Sequence, residues 1–127
     1  MKTVISTTEA PAAIGPYSQG IATGSFVFCS GQIPLNPATG KLVGDDISLQ
    51  TERVLQNIVA VLGAQGIGLD NVVKTTVFMT DLAKFDEMNI VYGRFFTGEP
   101  PARSTIQVAA LPKGANVEIE AIAVKPS

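Results

Sequence analysis

The chain contains no histidine. That absence removes whole classes of chemistry, because neither a Ser-His-Asp nor a Cys-His nucleophile pair can be built within it. Zinc sites of the usual Cys/His kind are equally impossible. Cysteine occurs once, as Cys29, so no internal disulfide can form, in keeping with a reducing compartment. With no histidine to activate it, Cys29 reads as a small buried hydrophobe rather than a nucleophile. Catalysis, if any, is left to carboxylates, arginine, hydroxyls, backbone groups and water.

Charge is also scarce. Nine Lys and Arg stand against 11 Asp and Glu, a formal net charge of −2, and charged residues make up 16% of the chain, where about 25% is usual. The basic residues are scattered rather than gathered into a stripe, so nucleic acid is not an expected partner. The longest apolar stretch, Ile58 to Ala64, falls far short of the roughly 20 residues that span a bilayer. Met1 to Ser6 lacks the apolar core of a signal peptide. The expectation is a cytoplasmic protein with no membrane partner.

The 127 residues suit one compact domain, 1–127, and no repeat, low-complexity tract or linker divides them. Between Ser48 and Gln65, the residues Val54, Leu55, Ile58, Val61 and Leu62 recur at helical spacing, and Gly66 supplies a stop. A second helix is predicted after Asp81 as N-cap, with Phe85, Met88, Tyr92 and Phe95 on one stripe before Gly98 and Pro100. Strands are expected over 3–6, 19–22, 26–32, 72–79, 104–108 and 117–124, with Gly24 turning the second into the third. Two well-separated helices cannot wrap both faces of a six-stranded sheet. The fold class is therefore α+β, a two-layer sandwich with both helices on one face.

Alternation along Val117 to Val124 puts Glu118, Glu120, Ile122 and Val124 on one face. Along Arg103 to Val108 it groups Arg103, Thr105 and Gln107. The first face is neither cleanly polar nor cleanly apolar and the second is polar but sparsely charged, which suits a surface covered by another subunit. Arg103 follows Pro100-Pro101-Ala102, a stiff lead-in, and a guanidinium there could clamp a planar carboxylate or form a structural ion pair. Glu118 could activate water as a general base, or pair with Arg103 or Lys74. Tyr17, within Ile14-Gly15-Pro16-Tyr17-Ser18-Gln19-Gly20, suits a phenol at a cleft mouth or a packing role. Ser30-Gly31-Gln32-Ile33-Pro34 ends a strand with small residues that bring backbone N–H groups close to a bound anion, or simply bends.

Taken together these segments resemble the RidA/YjgF family across essentially the whole chain. The anchors are residues 12–20, Ser30-Gly31-Gln32-Ile33-Pro34, Val73-Lys74-Thr75-Thr76-Val77-Phe78, Pro101-Ala102-Arg103-Ser104, Leu111-Pro112-Lys113 and Val117-Glu118-Ile119-Glu120-Ala121. The resemblance implies a chorismate-mutase-like α+β fold, assembled as a homotrimer with clefts between subunits. It also implies hydrolysis of reactive 2-imino acids and their enamine tautomers to 2-oxo acids and ammonia, protecting pyridoxal-phosphate enzymes, with no metal or organic cofactor. By position, Arg103 would hold the substrate carboxylate, Ser30 and Gly31 would line the pocket, and Glu118 would orient or activate water. Tyr17 and Asn89 would shape a cleft to which two subunits contribute. Many relatives carry cysteine two residues after the arginine, where this chain has Thr105, so no thiol nucleophile is implied here. A trimer that binds small carboxylates without catalysis and modulates a partner protein is the alternative. A nuclease or translation inhibitor, a role attached to some relatives, conflicts with the charge of −2. The face carrying Arg103, Thr105, Glu118 and Ile122 is expected to lie against neighbouring subunits.

Overall fold

In the computed structural model, which describes residues 1–126, the strands are β1 (Lys2–Ile5), β2 (Gly20–Thr23), β3 (Phe26–Gln32), β4 (Val72–Met79), β5 (Ala102–Gln107) and β6 (Val117–Val124). Helix α1 (Ile47–Gly63) lies between β3 and β4, and α2 (Phe85–Phe95) between β4 and β5. The strands form one sheet in the order β1-β2-β3-β6-β4-β5. Among the described residues only β4 and β5 pair in parallel, and α2 supplies the crossover that a parallel pair requires. Among the described residues no helix is long and apolar enough to cross a membrane.

Element order and type are as the periodicity predicts, and the differences at the ends have local causes. Asp46 caps α1, its carboxylate accepting from Ser48 N–H at 2.8 Å, so the helix starts one residue before Ser48. Asp81 caps a short 3₁₀ turn, Leu82–Lys84, accepting from Ala83 N–H at 2.9 Å, and α2 follows from Phe85. β5 begins at Ala102, directly after Pro101, whose ring nitrogen cannot donate to a ladder. At the β2–β3 hairpin Gly24 takes φ 56°, a left-handed conformation that favours glycine.

One sheet face is dry. Val27 and Cys29 of β3, Val77 and Met79 of β4, and Val117, Ile119, Ala121 and Ala123 of β6 are buried against α1 and α2. From α1 come Val54, Leu55, Ile58, Val61 and Leu62, and from α2 Met88 and Tyr92. Each large aliphatic here contributes about 1.5–3 kcal/mol through removal from water. Burial pushes the Cys29 thiol up to about 12. Three polar residues of α1, Gln50, Thr51 and Asn57, are buried as well, and two of them tie down loops. Asn57 Nδ2 donates to the carbonyls of Ile33 and Leu35 at 3.2 and 3.1 Å. Gln50 accepts from Asn116 N–H at 2.8 Å and donates to the Gly44 carbonyl.

The opposite face is bare. Ile21, Phe28 and Ile122 align across β2, β3 and β6, with Val4 beyond them on β1. Phe26 is 47% exposed and Phe28 41%, their ring centroids 6.1 Å apart. Val4 and Ile106 extend the exposed apolar area toward the two sheet edges. Contiguous apolar surface of this kind marks an interaction face.

Candidate active site

A cleft of about 440 Å³ opens on the bare face and is lined by Tyr17, Ser30, Gly31, Ile33, Glu118 and Glu120, with Ile14 and Pro112 at its margin. Its floor comes from a β-bulge. Cys29 pairs with Ala121 and Gln32 with Ile119, so Ser30 and Gly31 together oppose the single residue Glu120. A bulge bends the strand and re-aims its side chains, and here it turns Ser30 and Gly31 to the open face. Ser30 N–H donates to the Gln19 carbonyl at 3.0 Å, and its hydroxyl donates to the Ser18 carbonyl. A Cβ at Gly31 would overlap the Glu118 carboxylate. Glycine there is what lets the carboxylate lie across β3.

Glu118 is half-buried, and burial raises its pKa above the ordinary carboxylate value, with repulsion from Glu120 adding to the rise. The loop bearing Tyr17 is held by Gln19, which is buried. Gln19 Oε1 accepts from Thr7 N–H at 2.7 Å, and Nε2 donates to the carbonyls of Thr7, Ala10 and Pro11. Tyr17 itself is exposed, its hydroxyl accepting from Ile14 N–H at 3.3 Å. A neighbouring cleft of about 520 Å³ beneath residues 4–13 shares Tyr17, and its lining mixes Val4, Ile5, Ala10 and Pro37 with the hydroxyls of Ser6, Thr7 and Thr8.

Arg103 is elsewhere. It pairs with Thr75 across the β4–β5 ladder, and Thr75 is buried on the helix-covered face. Its guanidinium carbon lies 4.7 Å from the ring centroid of Tyr92 and 5.6 Å from that of Phe85, both on α2. Those are cation–π distances. Thr105 follows on the same side, opposite the buried Val77, and its hydroxyl oxygen is buried with no hydrogen-bond partner. Asn89 stands four residues after Phe85 and three before Tyr92, which places it on the same α2 stripe.

The expected site residues therefore form two groups. Tyr17, Ser30, Gly31 and Glu118 share the open-face cleft, while Arg103 and Thr105 lie at the β5 edge on the α2 side and Asn89 is on the α2 stripe with Phe85 and Tyr92. The expectation that Arg103, Thr105, Glu118 and Ile122 share one face is corrected. Glu118 pairs with Phe78, and Phe78 is three residues from Thr75 on β4, so alternation sends Glu118 and Arg103 to opposite sides. Nor is Lys74 a partner for Glu118, since its ammonium donates to Ser104 Oγ at 3.0 Å. Glu120 joins the open-face cleft lining too, as its two-residue offset from Glu118 on β6 requires. Thr75, Phe85 and Tyr92 occupy strand and helix stripe positions in the sequence pattern, and only the fold brings them to Arg103. Among the described residues no cluster of His, Cys, Asp and Glu could hold a metal ion.

Comparison with known proteins adds descent. Residues 7–125 match the family described as endoribonuclease L-PSP. Protein DfrA of Myxococcus xanthus is 55% identical over 122 residues, covering 94% of this chain and 93% of that protein. The 2-iminobutanoate/2-iminopropanoate deaminase of Mus musculus is 47% identical over 125 residues, covering 98% and 93%. The structure of Escherichia coli TdcF with bound serine superposes with a TM-score of 0.94 at 46% identity, covering 98% of this chain and 99% of that one. A match of that extent means that the chain belongs to the endoribonuclease L-PSP family, the YjgF/RidA family.

Proposed function

We propose that the protein hydrolyses 2-imino acids and their enamine tautomers to 2-oxo acids and ammonia, in a homotrimer whose sites lie between subunits. The observation that carries this reading is the split of the expected residues between two sheet faces. A contact joining two different surfaces of one chain is head-to-tail, and it closes into a ring when the rotation between copies is a whole fraction of a turn. Three copies in such a ring would bring the β5 edge of one against the open-face cleft of the next. The same contact would cover the apolar row of Ile21, Phe28 and Ile122. Two relatives support the substrate class, one named as an imine deaminase and one solved with bound serine, an amino acid carrying the same α-carboxylate.

In this account Arg103 holds the substrate carboxylate, with Thr105 and Asn89 beside it. The backbone of Ser30 and Gly31 and the Tyr17 phenol line the other wall. A water gives a proton to the Glu118 carboxylate as its oxygen bonds to the imine carbon, and Glu118 returns that proton to the nitrogen, which receives the C=N π electron pair. The carbinolamine hydroxyl then passes its proton by way of Glu118 to the amino group, the C=O bond forms as the C–N bond breaks, and ammonia leaves from the 2-oxo acid. The imine already hydrolyses in water, so orientation and charge placement suffice. Removing the imine in this way would spare pyridoxal-phosphate enzymes from covalent damage.

The test couples a threonine dehydratase to the protein and follows 2-oxobutanoate release. Acceleration over the buffer rate is expected. Arg103→Ala is expected to lower kcat/KM about ten- to a few hundred-fold, the value of one lost charge-assisted hydrogen bond. A folded protein that binds 2-oxobutanoate without accelerating release would instead be the non-catalytic carboxylate-binding trimer.

A further inference from the structure

Tyr92 is buried on α2, and its phenol meets the buried hydroxyl of Thr75 at 2.7 Å. Thr75 is also the residue directly opposite Arg103 in the parallel β4–β5 ladder. Since Arg103 Cζ sits 4.7 Å from the Tyr92 ring centroid, the three residues close a triangle between two strands and a helix. Phe96 packs against the Tyr92 ring, centroids 4.5 Å apart at 32°, and Phe85 lies within 5.6 Å of the guanidinium.

A packing role does not call for this polarity. The next inward residues of β4 are Val77 and Met79, and a buried hydroxyl costs stability unless bonded. A Val and Phe pair would fill the same space without that demand. The polar pair is instead found directly beneath the guanidinium. A phenol fixed at its oxygen holds its ring plane, and a guanidinium lying on that ring inherits the orientation. A bidentate carboxylate clamp depends on that orientation because both groups are planar. Burial raises the Tyr92 pKa, opposed by the Thr75 hydrogen bond and by the nearby Arg103 charge and hydrogen bonding, so the phenol stays neutral.

We propose that Thr75 and Tyr92 are positioning residues for the carboxylate clamp, the Thr75 hydroxyl locking the phenol and the Tyr92 ring setting the plane of the Arg103 guanidinium. The inference rests on Arg103 being the carboxylate-binding group, and its test separates the two claims.

The chain has two tyrosines and no tryptophan, so in a Tyr17→Phe background near-ultraviolet absorption of tyrosine reports on Tyr92 alone. Titration with 2-oxobutanoate is expected to perturb that absorption. Thr75→Val is expected to weaken 2-oxobutanoate binding about three- to ten-fold, with Thr75→Ser restoring it to within about two-fold. In an Arg103→Ala background the Thr75→Val change should add no further loss, because the residue acts through the arginine. Thr75→Ser guards against a fold defect in the valine variant, and Tyr92→Phe should reproduce the Thr75→Val loss. Equal weakening with and without Arg103, or a folded Thr75→Val protein with unchanged affinity, would overturn the proposal. Absence of imine hydrolysis with 2-oxobutanoate binding intact would remove the deaminase reading and leave the positioning claim standing.

Discussion

Arg103 and Glu118 project from opposite faces of the same sheet. Arg103 pairs with Thr75 and Glu118 with Phe78, three residues apart on β4. The guanidinium lies against Phe85 and Tyr92 of α2, while the carboxylate crosses Gly31 on the side the helices leave bare. If both act on one substrate, they come from different copies of the chain.

The raised pKa of Glu118 links stability to pH with a definite sign. A carboxyl whose folded pKa lies above its unfolded value stabilises the fold while protonated, and that contribution is lost as pH rises through the folded value. Glu118→Gln is therefore expected to unfold at a higher temperature than the parent at neutral pH, with the gap closing below the ordinary carboxylate pKa. Turnover should fall sharply in the same variant. Glu120→Gln, by removing the repulsion, should move the acidic limb of the pH–rate profile to lower pH. Thermal melts and rate profiles across pH 3 to 8 would check both; an unmoved acidic limb would count against the coupling.

Thr105 carries a buried hydroxyl without a partner. Thr105→Val removes it at constant shape, which should raise stability by about 1 kcal/mol, as expected when an unsatisfied polar group is deleted. If the hydroxyl meets substrate or water in the assembled site, the same variant should lose activity. Gain in stability with loss of turnover is the expected pair of outcomes in denaturant titration and the coupled assay. Unchanged turnover would confine Thr105 to packing.

Gly31 has no room for a side chain on the side of Glu118. Gly31→Ala should displace the carboxylate and lower kcat by about ten-fold or more, a usual effect of misplacing a reacting group by an ångström. The far-ultraviolet circular dichroism should stay that of the parent. A Gly31→Ala enzyme of full activity would show that the Glu118 position does not govern the rate.

Much of this architecture is legible before any coordinates. The inward stripe Val54, Leu55, Ile58, Val61 and Leu62 and the alternation of β6 depend on local period alone, and both hold. The residues of the open-face cleft are also legible, since Tyr17, Ser30, Gly31 and Glu118 do share it. Hidden from the sequence is which face of β5 meets α2. Alternation groups Arg103 with Thr105 and Gln107, but only the ladder register against β4 says which way the group points. The Ser30–Gly31 bulge is hidden for the same reason, because a two-against-one pairing exists only once β6 is in place. Thr75 and Tyr92 meet across 17 residues of chain, beyond any local pattern.

The central claim is that Arg103 and Glu118 serve one site from two subunits, and subunit mixing tests it most directly. Arg103→Ala and Glu118→Gln chains, each impaired about ten-fold or more alone, would be unfolded and refolded together in equal amounts. Random trimers with sites between neighbours should then recover about a quarter of wild-type activity, since half the arginine donors and half the glutamate donors are intact. A mixture no more active than its two parents, with subunit exchange confirmed by mass, would contradict the shared site.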